Sequence, residues 1–228
     1  MRGDARAIPP LDVAERRLGG PILSAFEFFF SFYGLLLGLS LAELVGGFAR
    51  VLHEKARVRF GLLTPLLAVF VAVDIATFWN QAWAIFRFAP FNLALLVMGL
   101  VVAGVFYIAA SVTFPRPEGD APIDLDDHFW KHRRTVFLCV LIANLIIVAV
   151  FFALTGFTGE LPRIPLAPLF WVGLVLFIGG TATAAFAPWR RAVVTALIIL
   201  VAYHVFTIGR SVVALVEAGG WSLLGPAV

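Results

Sequence analysis

Six apolar runs, each long enough to cross a bilayer, leave this chain little choice of fold. An α-helix rises about 1.5 Å per residue, so about 20 apolar residues cover a hydrocarbon core of about 30 Å. Runs at approximately 22–52, 62–86, 91–113, 132–156, 166–187 and 191–216 all reach that length. Pro90, Pro115 with Pro117, Pro162 with Pro165, and Pro188 fall between them. Helices stop or start at such positions because proline lacks a backbone N–H and blocks the preceding turn. The expected fold is therefore all-α: a polytopic membrane protein built as a bundle of about six transmembrane helices over 22–216. A polar tail, 1–21, precedes the bundle and a short tail, 217–228, follows it.

Composition excludes the main alternative. The chain is 61% hydrophobic and only 14% charged, with a mean hydropathy of +0.99, far from soluble averages. Its net charge of +3 does not point to nucleic acid, because the arginines cluster where spans meet headgroups and no basic stripe with interleaved aromatics exists. The single cysteine, Cys139, lies in an apolar run and reads as a packing residue. The opening stretch MRGDARAIPPLDVAERRLGG mixes arginines with acids, and no small-residue cleavage pattern follows the apolar run after it. It reads as a retained tail followed by an anchor.

Basic residues suggest a direction. The connections after spans one, three and five hold ten Lys and Arg (Arg50, Lys55, Arg57, Arg59, Arg116, Lys131, Arg133, Arg134, Arg190 and Arg191), against seven on the other side. By the positive-inside rule the odd-numbered connections are cytoplasmic and both termini outside. Arg16 and Arg17, next to span one, pull the other way.

Small and ionisable residues inside the runs are the candidate functional positions. Gly34, Gly38, Ala42 and Gly46 recur every four residues along span one, a spacing that smooths one helix face for close approach of another backbone. Glu27 and Glu43 share that span. A charge at the bilayer centre costs at least about 2.5 kcal/mol and so invites a functional explanation. Glu27 stands near the start of its span, within reach of headgroup water. Glu43 has an alternative in Arg50, two turns on, with which it could pair at the interface. Asp74 is the deepest acid, near the middle of span two, and shares a face with Gln81. It is the leading candidate for a protonatable or cation-contacting group. In span six His204 lies at membrane depth and could relay a proton, bind a metal or simply bond a neighbouring helix. Arg210, on the same span, has Asp74, Glu43, Glu217 or the headgroups as possible partners.

Outside the spans, Asp124, His128 and His132 are spaced i, i+4, i+8, so all three lie along one helical face, and two His at i, i+4 suit a metal. Acids followed by Lys131, Arg133 and Arg134 are also what a capped, solvated helix start looks like, and this reading is favoured. There is no phosphate-cradling Gly loop, CxxC, HExxH or GxSxG, so nothing here specifies an enzyme or a cofactor.

The stretches FSFYGLLLGLSLAELVGGFARVL, DIATFWNQAW, SVTFP and LDDHFWKHRR together resemble a set of small, uncharacterised multi-spanning bacterial membrane proteins. The resemblance implies a bacterial inner-membrane location and assigns no residue a role. Three functions follow from the residues themselves: a channel or carrier for protons or small cations using Asp74, Glu43 and His204; a non-catalytic scaffold or accessory subunit whose grooved first span docks a partner; and, least favoured, a metalloenzyme using Asp124, His128 and His132. The expected partners are the lipid bilayer and either further copies of the chain or other membrane subunits.

Overall fold

The computed structural model describes residues 25–86, 92–116, 122–157 and 168–218; the polar tail 1–21, positions 219–228 of the second tail, and the charges Arg87 and Arg163 lie outside them. Six helices emerge: α1 (Ala25–His53), α2 (Leu63–Phe86), α3 (Leu93–Thr113), α4 (Leu125–Phe157), α5 (Pro168–Phe186) and α6 (Arg190–Glu217). Each is long and apolar enough to cross a membrane. The all-α, six-helix expectation is met.

Helix ends follow local chemistry. The Asn92 side chain accepts a hydrogen bond from the Leu95 N–H at 2.9 Å and starts α3. Asp124 does the same for α4, accepting from the N–H groups of Asp126 (2.9 Å) and Asp127 (3.1 Å), which satisfies donors a helix start leaves free. Because of that cap, α4 begins at Leu125, ahead of the apolar run that starts near 132, and the charged segment LDDHFWKHRR is helical. Its inner face is buried through Leu125, Phe129 and Arg133. Phe114, before Pro115, is extended (φ −108°, ψ 144°) and ends α3, as the residue before a proline is driven to be.

Helix α2 is the centre of the bundle. It packs against α1, α3, α4 and α6, while α5 closes the gap between α4 and α6. Its contact residues Leu67, Phe70, Val71, Ile75 and Phe78 are at most 4% exposed. Aromatic edges hold it to its neighbours: Phe78 meets Phe106 of α3 at 5.0 Å and Phe70 meets Phe137 of α4 at 5.6 Å. The outer surface is apolar instead of polar, with Leu35, Val45, Leu93 and Val175 each more than 60% exposed. Such a surface needs lipid around it.

One end of the bundle is tied together by polar contacts. Val58–Arg59 (β1) and Ile123–Asp124 (β2), in the connections before α2 and α4, pair as a two-residue parallel ladder. The Thr64 hydroxyl donates to the Leu125 carbonyl at 2.6 Å. Asp126 accepts from the Leu63 N–H at 3.3 Å and from Arg190 at 2.9 Å, so the starts of α2, α4 and α6 meet at one carboxylate. Arg133 is buried under Trp130, 4.5 Å from its ring centre, and donates to the carbonyls of Ala184 and Ala187 at 2.7 and 2.8 Å. It thereby caps the end of α5, where Pro188 stops the helix.

The stripe of small residues on α1 divides. Trp79 of α2 lies directly against Gly34, where any side chain would collide with the indole. Gly38 and Ala42 face outward, and nothing lies within 4 Å of a Cβ built on Gly38. Gly46 meets only Arg50 of its own helix, and the second tight approach is at Gly47, one residue off the stripe, under Phe114. Gly34→Leu is therefore expected to destabilise the bundle by about 2 kcal/mol or more through overpacking, and Gly38→Leu to leave it unchanged. Thermal unfolding of the two variants in detergent checks the pair.

Candidate functional site

A buried polar group in a dry helix bundle needs a partner, because an unpaired one costs several kcal/mol. Three of the seven buried polar side chains among the described residues solve the problem within their own helix. Ser40, Thr113 and Thr181 turn their hydroxyls back to carbonyls four residues earlier, as membrane helices commonly do. Asp74 has no such recourse, since a carboxylate cannot donate to a carbonyl unless protonated.

Asp74 stands halfway along the 24-residue α2 and is 1% exposed. One carboxylate oxygen, Oδ2, accepts from the Asn144 amide of α4 at 3.0 Å. Asn144 Nδ2 also donates to the Val140 carbonyl at 3.0 Å. Both neighbours are acceptors, so the amide can be oriented only with its nitrogen toward them. The other oxygen, Oδ1, lies 3.3 Å from Nε2 of His204 on α6. Three helices thus converge on one carboxylate.

The imidazole is equally constrained. His204 Nδ1 is 2.8 Å from the Leu200 carbonyl, an oxygen that can only accept, so Nδ1 carries a proton. A neutral ring then presents a bare Nε2 lone pair to Asp74. The contact is favourable only with one further proton between Nε2 and Oδ1, held either as a neutral acid beside neutral imidazole or as carboxylate beside imidazolium. In both forms the pair is uncharged overall. Losing that proton leaves a net negative charge in a place where charge is expensive.

Around the pair the bundle is tight on one side and open on the other. Phe70, Phe177 and Tyr203 ring His204 with edge contacts at 5.6, 6.2 and 5.8 Å. Toward the end tied by Asp126 and Arg133, the space is filled by Leu67, Phe70, Phe137, Leu197 and Leu200, none more than 1% exposed. Away from it, a cleft of about 370 Å³ runs between α2, α4, α5 and α6. Its inner end is formed by Asp74, Asn144 and His204; Thr77, Gln81, Tyr203 and Thr207 add polar groups along a wall that is otherwise apolar and aromatic. Beyond His204, α6 contributes no buried residue.

The other candidate residues are placed elsewhere. Glu43 is on the α1–α3 side at the polar end, 2.9 Å from Arg50 and 4.0 Å from Arg116. Glu27 is exposed in the first turn of α1. Arg210 is exposed on α6 and reaches neither Asp74 nor Glu43; it lines a second recess with Tyr203, Thr207 and Ser211. Asp124 caps α4, His128 Nε2 donates to the Val112 carbonyl at 3.0 Å, and His132 Nδ1 donates to the His128 carbonyl at 3.1 Å. Their rings stack at 4.2 Å. Among the described residues no three His, Cys, Asp or Glu side chains converge as a metal set. Asn144 was not singled out by the sequence reading, although it is a lone amide in the apolar run of α4 and that oddity marks it.

Six membrane-length helices with a lipid-like exterior define a multi-pass α-helical integral membrane protein. Comparison with protein-family models, curated proteins and solved structures finds no match, so the chemistry of the site rests on its own geometry.

Proposed function

We propose that this protein carries protons across its membrane, with Asp74 and His204 jointly holding the proton in transit and Asn144 orienting the carboxylate. The observation that carries this reading is the commitment of His204 Nδ1 to the Leu200 carbonyl, which leaves room for one proton between Nε2 and Asp74. A purely structural pair has no need of a water-sized approach. This one lies at the inner end of a cleft, and intramembrane acids and histidines that meet cavities are the usual elements of proton relays. Because Phe70, Phe137 and Leu200 fill the opposite side, passage requires a second packing of these helices, which is the behaviour of a carrier and not of an open pore.

The accessory-subunit reading has one observation of its own, the outward-facing Gly38 and Ala42 on α1, a surface on which another transmembrane helix can pack. Under that reading the pair is structural and no proton moves. Liposomes containing purified protein and a pH-sensitive dye separate the two. The carrier reading expects proton flux that Asp74→Asn and His204→Gln each reduce at least tenfold with assembly unchanged. Equal flux in all three, or none in any, contradicts it.

The proposed setting is a bacterial inner membrane with the arginine-rich odd connections in the cytoplasm. The starts of α2, α4 and α6 then face the cytoplasm, and the cleft opens to the outside. A reporter that fluoresces only in the cytoplasm should stay dark when fused after Val228 and light up when inserted after Lys55. The opposite pattern reverses the direction.

A further inference from the structure

The cleft is too large and too apolar for a proton alone. At about 30 Å³ per water, 370 Å³ is room for about twelve molecules, whereas a relay to Asp74 needs a single file. Small-molecule sites begin at about 300 Å³ and are mostly apolar with a few placed polar groups, which describes these walls. Leu141, Leu145, Val148, Phe151, Phe170 and Ile178 line the cleft. An apolar body fits against them better than water does.

The charge at the mouth selects the rest of the ligand. Arg210 follows His204 by six residues along α6, about 9 Å at 1.5 Å per residue, and projects into a recess that shares Phe170, Tyr203 and Thr207 with the cleft. Thr207 and Ser211 donate their hydroxyls to carbonyls of their own helix at 2.9 and 3.1 Å. Among the described residues Arg210 has no carboxylate or carbonyl partner. A guanidinium matches a carboxylate or phosphate in a two-pronged contact. A cationic ligand would find no free negative charge inside, because Asp74 is buried and engaged by His204 and Asn144.

We infer that the cleft binds an amphipathic organic anion, its apolar body lying between α4, α5 and α6 and its anionic head on Arg210. The head can belong to a free carboxylate or to the phosphate of an anionic lipid; the chemistry at Arg210 is the same. A bound body covers the approach to Asp74 and His204, so occupancy controls proton exchange, and this consequence alone rests on the proton-carrier reading.

Binding is measured without flux, using full-length protein in nanodiscs of zwitterionic lipid and radiolabelled decanoate as probe. The expected result is saturable binding that Arg210→Gln weakens at least tenfold, that Arg210→Lys partly restores, and that decyltrimethylammonium does not compete for. Flux is read with Asp74→Asn and binding with Arg210→Gln, so the two readings fail separately. Phosphatidylglycerol added to the nanodiscs distinguishes the sources: Arg210-dependent displacement of decanoate assigns the site to lipid phosphate, and no displacement assigns it to a free carboxylate. Equal competition by the cationic amphiphile, unchanged affinity in Arg210→Gln, or no saturable binding of either anion overturns the inference.

Discussion

One carboxylate at the centre of an apolar bundle sets the terms for the rest of this structure. Asp74 has to be neutralised, hydrogen-bonded or both, and it obtains this from two other helices, α4 through Asn144 and α6 through His204. That requirement places α2 where it can touch both. Removing one member of such a buried arrangement strands the other, at a cost of about 3–5 kcal/mol if a charge is left unpaired. The surrounding aromatic packing, Phe70 on Phe137 and on His204, keeps water from relieving the constraint on one side. On the other side lies the cleft.

The two ends of the bundle differ in kind. At the polar end, helix starts are bound to one another by Asp126, Thr64 and the β1–β2 ladder, and Arg133 caps α5. At the opposite end the last thirteen residues of α6, 205–217, follow His204 without a buried residue among them. Regions with few buried contacts are those that open at least cost. On the proposed carrier reading, a second packing would therefore be drawn from α5 and the outer half of α6 swinging against a fixed base, which is the hinge-like behaviour expected where one end is anchored and the other is not.

The fold was legible in the sequence because lipid leaves so few options: long apolar runs punctuated by proline read directly as helices. Asp74 and His204 were each legible as oddities for the same reason, an ionisable group deep in an apolar run. Their meeting was not, since nothing local links residues 130 positions apart. Asn144 escaped because an amide raises less alarm than a charge, and the cleft escaped because it belongs to four helices at once. The small-residue stripe shows the limit of spacing as a guide. Four-residue periodicity identifies a smooth face, but only Gly34 of the four turns toward another helix of the chain, and which face turns inward is decided by the packing of Trp79 and Phe114.

The central claim is that His204 and Asp74 hold one proton between them, with His204 anchored through Nδ1–H to Leu200. Nitrogen-15 NMR of histidine-labelled protein tests it most directly, because the chain has only four histidines and His204→Gln assigns the signals by difference. The account predicts a His204 Nδ1 that carries a proton at every pH at which the bundle is folded, and an Nε2 whose shift reports a proton shared with Asp74 and changes in Asp74→Asn. A neutral ring protonated only at Nε2, with Nδ1 bare and no response to Asp74→Asn, would contradict it.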